Sequence, residues 1–169
     1  MYYASFGGLQ NTVSLLLQQQ RLHVNAEERV LDKALNVASK NGHIDIVQLL
    51  IGKGADVNAQ DSFGGSAIEA ASAYGHIDIV QLLIGKGADV NPQASSGGSA
   101  IKAASAYGYI DIVQLLIGKG ADVNPQVSSG GSAVKAASAG GHIDIVQLLI
   151  GQGADVNAQD SSGGSAIEA

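Results

Sequence analysis

The sequence predicts an all-α solenoid, a stack of helix–turn–helix units joined by glycine-rich loops. Three observations carry this reading. The segment GHIDIVQLLIGKGADVN starts at Gly42, recurs at Gly75, and returns with single changes at Gly108 (Tyr109 for His) and Gly141 (Gln152 for Lys), each 33 residues after the last. Ala59–Asn91 matches Pro92–Asn124 at 28 of 33 positions, and Pro92–Asn124 matches Pro125–Asn157 equally well. Inside every copy, apolar residues fall three and four apart between glycines, the pattern of short amphipathic helices.

The units are taken in chain order. Residues 1–25 form a partial repeat, in which Gly7-Gly8-Leu9, Val13, Leu15-Leu16-Leu17 and His23-Val24-Asn25 echo the back half of a unit. Full repeats follow at 26–58, 59–91, 92–124 and 125–157, and 158–169 begins another that stops inside its first helix. Together they read as one repeat domain over 1–169, a piece of a longer array. In the first full repeat, Glu27 to Lys33 lacks the Gly-rich turn of the later copies, so this segment extends the first helix backwards.

In the next repeat, Ser66 is placed to N-cap a helix over Ala67 to Tyr74, its hydroxyl accepting from an early backbone N–H. Gly75 suits the left-handed position that closes it. A second helix is expected from about His76 to Ile84. Ile77, Val80, Leu83 and Ile84 form its apolar stripe, widened by Ile79 and Leu82. Asp78 in its first turn and Lys86 past its end complement the helix dipole. Gly85 and Gly87 terminate it, and Ala88 to Gly98 reads as loop, with Asn, Pro and Gly suited to tight turns. Helices of about nine residues are marginal in water and gain stability by packing, so successive pairs must stack to bury a shared core.

These units resemble the ankyrin repeat family. The matching residues in the 59–91 copy are Asp61, Gly64, Ser66, Ile68, Ala71, Gly75-His76, Ile79-Val80, Leu82-Leu83 and Gly87-Ala88-Asp89-Val90-Asn91. The resemblance implies an ankyrin-repeat solenoid with loop fingers and a role in binding protein partners through the concave side, built from the fingers and the short first helices. One departure stands out. The family's Thr-Pro-Leu-His box reads Ser66-Ala67-Ile68-Glu69 here, then Ser99-Ala100-Ile101-Lys102 and Ser132-Ala133-Val134-Lys135. It lacks the Pro of the first helical turn and the His that ties neighbouring repeats. The Ala-Ile-x-Ala-Ala-Ser pattern is similar to repeats in large fungal receptor-like proteins that carry a nucleotide-binding switch domain.

Composition narrows the function. Apolar residues make up 46% of 169, so the chain is not a disordered acidic tail. Aromatics are only 4% and glycines number 23, so the core must rest on Ala, Ile, Leu and Val. A net charge of −6 with nine scattered Lys and Arg argues against nucleic acid or an anionic membrane as partner. With no cysteine there is no disulfide framework or thiol chemistry. Neither a signal-peptide pattern nor an apolar run long enough to span a bilayer is visible, and the expected compartment is the cytoplasm.

Chemistry-bearing residues recur in ladders. Asp45, Asp78, Asp111 and Asp144 form one, and Asp56, Asp89, Asp122 and Asp155 another. Copies one repeat apart stand roughly 10 Å from each other by helix spacing, too far for a carboxylate pair or shared metal. Dipole and loop-capping roles explain both series. His43, His76 and His142 cannot converge on zinc either, and read as hydrogen-bonding residues that fix the turn between helices. Ser66, Ser99, Ser132 and Ser165 follow Gly-Gly without the strand or second glycine of a nucleophile elbow, which leaves N-capping. Gly85-Lys86-Gly87 closes a helix where a phosphate loop would open one. Ser72, Ser105 and Ser138, at positions usually Ala in the family, are expected to bond back to the carbonyl four residues earlier. No catalytic residues, no metal and no cofactor are assigned.

The partner-facing surface follows from comparing the three regular repeats with one another. They differ at the positions of Ala59, Asp61, Phe63, Ile68, Glu69, Tyr74, His76 and Lys86. Of these, Ala59, Asp61, Phe63, Glu69 and Tyr74 lie at the loop tip or on the first helix, whereas the second helices barely change. Phe63, Tyr74 and Tyr107 are the expected anchors, because aromatics dominate interface hot spots. Ser62, Ala73 and Ala106 flank them, and charge alternates from Glu69 to Lys102 and Lys135. Tyr74 and Tyr107 are expected to line up as neighbours. Their alternative role is to shield the end of the first helix. The chain is therefore expected to be a protein-binding module. The alternative is a structural spacer or regulatory segment of a larger receptor or enzyme. At the C-terminal end nothing diverges to form a cap, so Ile143, Val146, Leu148, Leu149 and Ile150 are expected to leave an apolar patch through which the chain self-associates.

Overall fold

A computed structural model of the chain describes residues 24–61, 64–92, 99–125 and 132–157. Among them run eight α-helices, and the nearest thing to a strand is one isolated bridge between Gln60 and Ser66. The chain divides into two compact units, Met1–Ala88 and Asp89–Ala169.

In the first unit, α1 (Val24–Lys40) and α2 (Ile44–Gly52) form one pair, α3 (Ala67–Ala73) and α4 (Ile77–Gly85) the next. Helix α1 packs on both α2 and α3, and α2 touches α4. In the second unit, α5 (Ala100–Ala106) pairs with α6 (Ile110–Gly118) and α7 (Ala133–Ala139) with α8 (Ile143–Gly151). There α5 packs along α7 and α6 touches α8. In each unit inner helix lies on inner helix and outer on outer, the arrangement the 33-residue period requires.

Helix α1 runs 17 residues, the backward extension expected from its missing turn. Leu31, Ala34, Leu35, Ala38 and Ser39 are buried along it, one face at helical spacing. The later inner helices are seven residues long and start on serine caps. Ser66 Oγ accepts from Glu69 N at 3.4 Å, Ser99 Oγ from Lys102 N at 3.3 Å, and Ser132 Oγ from Lys135 N at 3.3 Å. Buried alanines at 67, 71, 100, 104, 133 and 137 let these helices approach closely.

The outer helices repeat IDIVQLLIG. They begin one residue later than expected, at Ile77 in the 59–91 repeat, with His76 at the N-cap but no side-chain cap bond. Gly75 takes φ +77 between the helices, as expected of a left-handed turn residue. The buried centre of α4 is Ile79, Val80 and Leu83, while Ile77, Leu82 and Ile84 are only partly covered. Three buried aliphatics contribute about 1.5–3 kcal/mol each, and ordering the backbone costs about 1–2 kcal/mol per residue. Nine residues on this balance cannot hold a helix alone, and neighbours must supply the rest.

The neighbours are tied by side chains bonded to backbone one repeat away. Asn91 donates through Nδ2 to Gly120 O at 2.8 Å and accepts at Oδ1 from Asp122 N at 2.8 Å. Asn124 does the same with Gly153 O and Asp155 N. Asn58 Nδ2 reaches Gly87 O at 3.1 Å, while within the 26–58 repeat Asp32 Oδ1 accepts from Asp56 N at 2.9 Å.

Histidine adds a second tie, and here the expectation is corrected. His76 Nε2 stands 3.0 Å from Lys40 O, and His142 Nε2 3.2 Å from Ala106 O. Each ring therefore secures the C-terminal end of the inner helix one repeat earlier rather than its own turn. A carbonyl can only accept, so Nε2 carries the proton. This inter-repeat tie is separate from the one missing from the Ser-Ala-Ile box.

The serines at 72, 105 and 138 split. Ser105 Oγ donates to Ile101 O at 2.7 Å and Ser138 Oγ to Val134 O at 2.9 Å, as expected. Ser72 does not: its hydroxyl, like that of Ser39 one repeat earlier, is buried without a partner.

Candidate partner-binding face

Each inner helix turns one side into the core and leaves the other open. In α3 the open side carries Glu69, Ala70 and Ala73, partly exposed, and ends at Tyr74, which is 50% exposed. In α5 it carries Lys102, Ala103 and Ala106 and ends at Tyr107, 64% exposed. Lys135 and Ala136 occupy the same places in α7. The expected residues on these helices are thus accessible. Phe63 and Ser62 lie outside the described residues.

The first unit holds a groove of about 570 Å³ between α1 and α3. Lys33, Asn36 and Lys40 line one wall, Asp61 and Glu69 the other, with Ala70 and Ala73 on α3. The loop edge is held from within: Asp61 N donates to Gly65 O at 2.9 Å, and Gly65 N to Asp61 Oδ1 at 3.0 Å. Asn36 Nδ2 reaches Gly65 O at 3.3 Å, fastening that loop to α1. Lys40 Nζ lies 5.1 Å from the centroid of the Tyr74 ring, within cation–π range. Tyr74 therefore packs one face against the preceding repeat while keeping half its surface open.

Sequence comparison did not single out Lys33, Asn36 and Lys40. The signal was available: Asn36 stands 33 residues before Glu69, in register with Lys102 and Lys135. Restricting the comparison to the three regular repeats hid it.

The position after α7 has a packing explanation. Gly140 stands where Tyr74 and Tyr107 stand in the earlier repeats, and takes φ −78 where they take −112 and −105. In that conformation a Cβ would lie 2.6 Å from His142 Cδ2 and 2.8 Å from Ala106 O. No side chain fits unless the turn shifts, so this difference between repeats belongs to the fold.

The ladders occupy the places that their structural roles require. Asp45, Asp78, Asp111 and Asp144 are in the first turns of the outer helices. Asp56, Asp89, Asp122 and Asp155 each accept from the backbone N–H two residues on, at 2.8–2.9 Å. Among the described residues no three His, Asp or Glu side chains come together in a group able to hold a metal ion. None of the described helices is long and apolar enough to cross a membrane.

Paired short helices, a glycine turn at fixed period and side-chain ties across repeats define a repeat-stack protein. The family described as "Ankyrin repeats (3 copies)" matches residues 67–160, and "Ankyrin repeats (many copies)" matches residues 31–84. The chain belongs to the ankyrin repeat family, whose members generally serve as protein–protein interaction modules. No curated protein matches it.

Proposed function

We propose that the chain is a cytoplasmic protein-binding scaffold that offers the open side of its inner helices and its loop tips to a macromolecular partner, without catalysis of its own. The repeats at 26–58 and 59–91 supply that surface in the first unit, and those at 92–124 and 125–157 in the second. The observation that carries the reading is where variation falls. Outer helices hold IDIVQLLIG in all four repeats, while position 69 and its equivalents read Asn36, Glu69, Lys102 and Lys135 on the open side. A scaffold that keeps its packing and changes its open side is built for recognition.

Tyr74 in the first unit and Tyr107 in the second are the anchors of this reading, together with Phe63 and Ser62. Tyr74→Ala with Tyr107→Ala should change stability by about 1 kcal/mol or less, the Lys40 contact included. The same pair should weaken a ligand selected against the native chain by about 1–3 kcal/mol. Unchanged affinity in isothermal titration would refute the assignment of this face. Self-association through Ile143, Val146 and Ile150 is a second property of the same scaffold.

A further inference from the structure

We infer that the groove between α1 and α3 takes an acidic peptide segment, whose carboxylates face a row of cations on α1 while an apolar side chain seats on the groove floor. This rests on the protein-binding reading above and adds the chemistry of the ligand.

The row comes from register. Arg29, Lys33, Asn36 and Lys40 follow one another at steps of four, three and four residues, which places them on one face of α1. Leu31, Leu35 and Ala38 are buried on the opposite side. The three cations are exposed, and half-buried Asn36 between them donates to Gly65 O. Asp32 lies off this face and accepts from Asp56 N.

These cations have charge to offer. The Arg29 guanidinium and the Lys33 ammonium have no ion-pair or hydrogen-bond partner among the described residues. Lys40 Nζ lies 5.1 Å from the Tyr74 ring centroid, a contact that leaves its charge without a counter-ion. The packing of α1 uses neither Arg29 nor Lys33, although the chain carries a net charge of −6.

The groove beside the row decides the class of ligand. Its volume of about 570 Å³ is in the range of ligand pockets. Val37, Ala70 and Ala73, all half-covered, give it an apolar floor. Later inner helices carry alanine at the places of both Val37 and Lys40, so this wall belongs to the first full repeat alone. Asp61 and Glu69 stand on the facing wall, which divides the groove by sign. A nucleic acid, charged along its whole backbone, would meet these acids, whereas a peptide can direct its carboxylates to α1 alone. From Arg29 to Lys40 the row covers roughly 16 Å of helix, more than one small anion spans.

The test is selection of a random twelve-residue display library on the full chain, followed by titration of the synthesised winner against the native chain and three variants. Winners that combine several Asp or Glu with a large apolar residue are expected. Arg29→Gln with Lys33→Gln should weaken the winner about tenfold, as two lost ion pairs would give, and should melt with the native chain because Gln matches Arg and Lys in helix propensity. Lys53→Gln with Lys86→Gln removes the same charge behind the outer helices and should bind as the native chain does; Gln152 already holds the place of Lys86 in the last repeat. Ala73→Leu, which fills the floor, should lose most of the binding. Winners without acids, a winner untouched by Arg29→Gln with Lys33→Gln or by Ala73→Leu, or equal losses in the two charge variants would overturn this inference and leave the protein-binding reading standing. Displacement of the winner by a thymidine dodecanucleotide would overturn the choice of a peptide. A library that yields no enriched peptide would count against both readings.

Discussion

Alanine at Gly42 or Gly108 should cost considerably more stability than alanine at Gly141, although all three occupy the same place in their repeats. Their φ values are +75, +80 and +72, so left-handed strain is shared. That strain costs an L-residue about 1–2 kcal/mol, partly offset by about 0.4–1 kcal/mol from the stiffer unfolded chain. The surroundings differ. A Cβ on Gly42 would lie 2.7 Å from His76 Cε1, and one on Gly108 2.6 Å from His142 Cε1, whereas nothing lies within 4 Å at Gly141. To make room the ring must move, breaking its bond to Lys40 O or Ala106 O, worth about 0.5–1.5 kcal/mol, and disturbing the repeat contact. The expectation is about 2–3 kcal/mol for Gly42→Ala and Gly108→Ala against about 1 kcal/mol for Gly141→Ala. Urea unfolding followed by circular dichroism measures all three. In a His142→Ala background, Gly108→Ala should fall to the cost of Gly141→Ala. Equal costs at all three glycines, or no coupling between Gly108 and His142, would refute the knob-and-hole contact between repeats.

Ser72→Ala should stabilise by about 1 kcal/mol, because it removes a buried hydroxyl without a partner and improves helix propensity. Ser105→Ala, which loses a 2.7 Å bond to Ile101 O, should be neutral or mildly destabilising, and thermal melts of the pair reveal the sign. A chelator should leave helical content and melting temperature unchanged, since both aspartate ladders bond or face backbone; a clear drop in either would show a metal requirement. In the last described repeat Ile143 is 70% and Ile150 48% exposed, with partly covered Val146 between them at i+3. Ile150→Glu should reduce concentration-dependent association in sedimentation, and a native chain that stays monomeric at millimolar concentration would remove the basis for self-association.

That expected apolar edge is narrower in the structure than in the sequence. Leu149 is fully buried, and the edge reduces to exposed Ile143 and Ile150 with half-covered Val146 and Leu148. The reason is general to this chain. Hydrophobic periodicity tells which side chains avoid water, and the contacts alone tell which neighbour covers them.

The sequence by itself determined the period, the helix pairs, the serine caps, the glycine turns and the family, because each rests on chemistry within a few residues. A hydroxyl three residues before an N–H, or a glycine where the chain must take a positive φ, needs no distant partner. It also marked Glu69, Lys102, Lys135, Tyr74 and Tyr107 as candidates for the open side, since they or their equivalents change between repeats that otherwise match. Tertiary structure decided everything that spans a repeat. Only packing revealed that His76 reaches Lys40 O across 36 residues, that Lys40 covers Tyr74, and that Asn91 bridges Gly120 and Asp122. It alone separated Ser72 from Ser105, whose nearest neighbours in sequence are the same, and Gly42 from Gly141. In a chain of near-identical units, local sequence is nearly the same at every rung. What distinguishes one rung from the next is what the neighbouring repeat places against it.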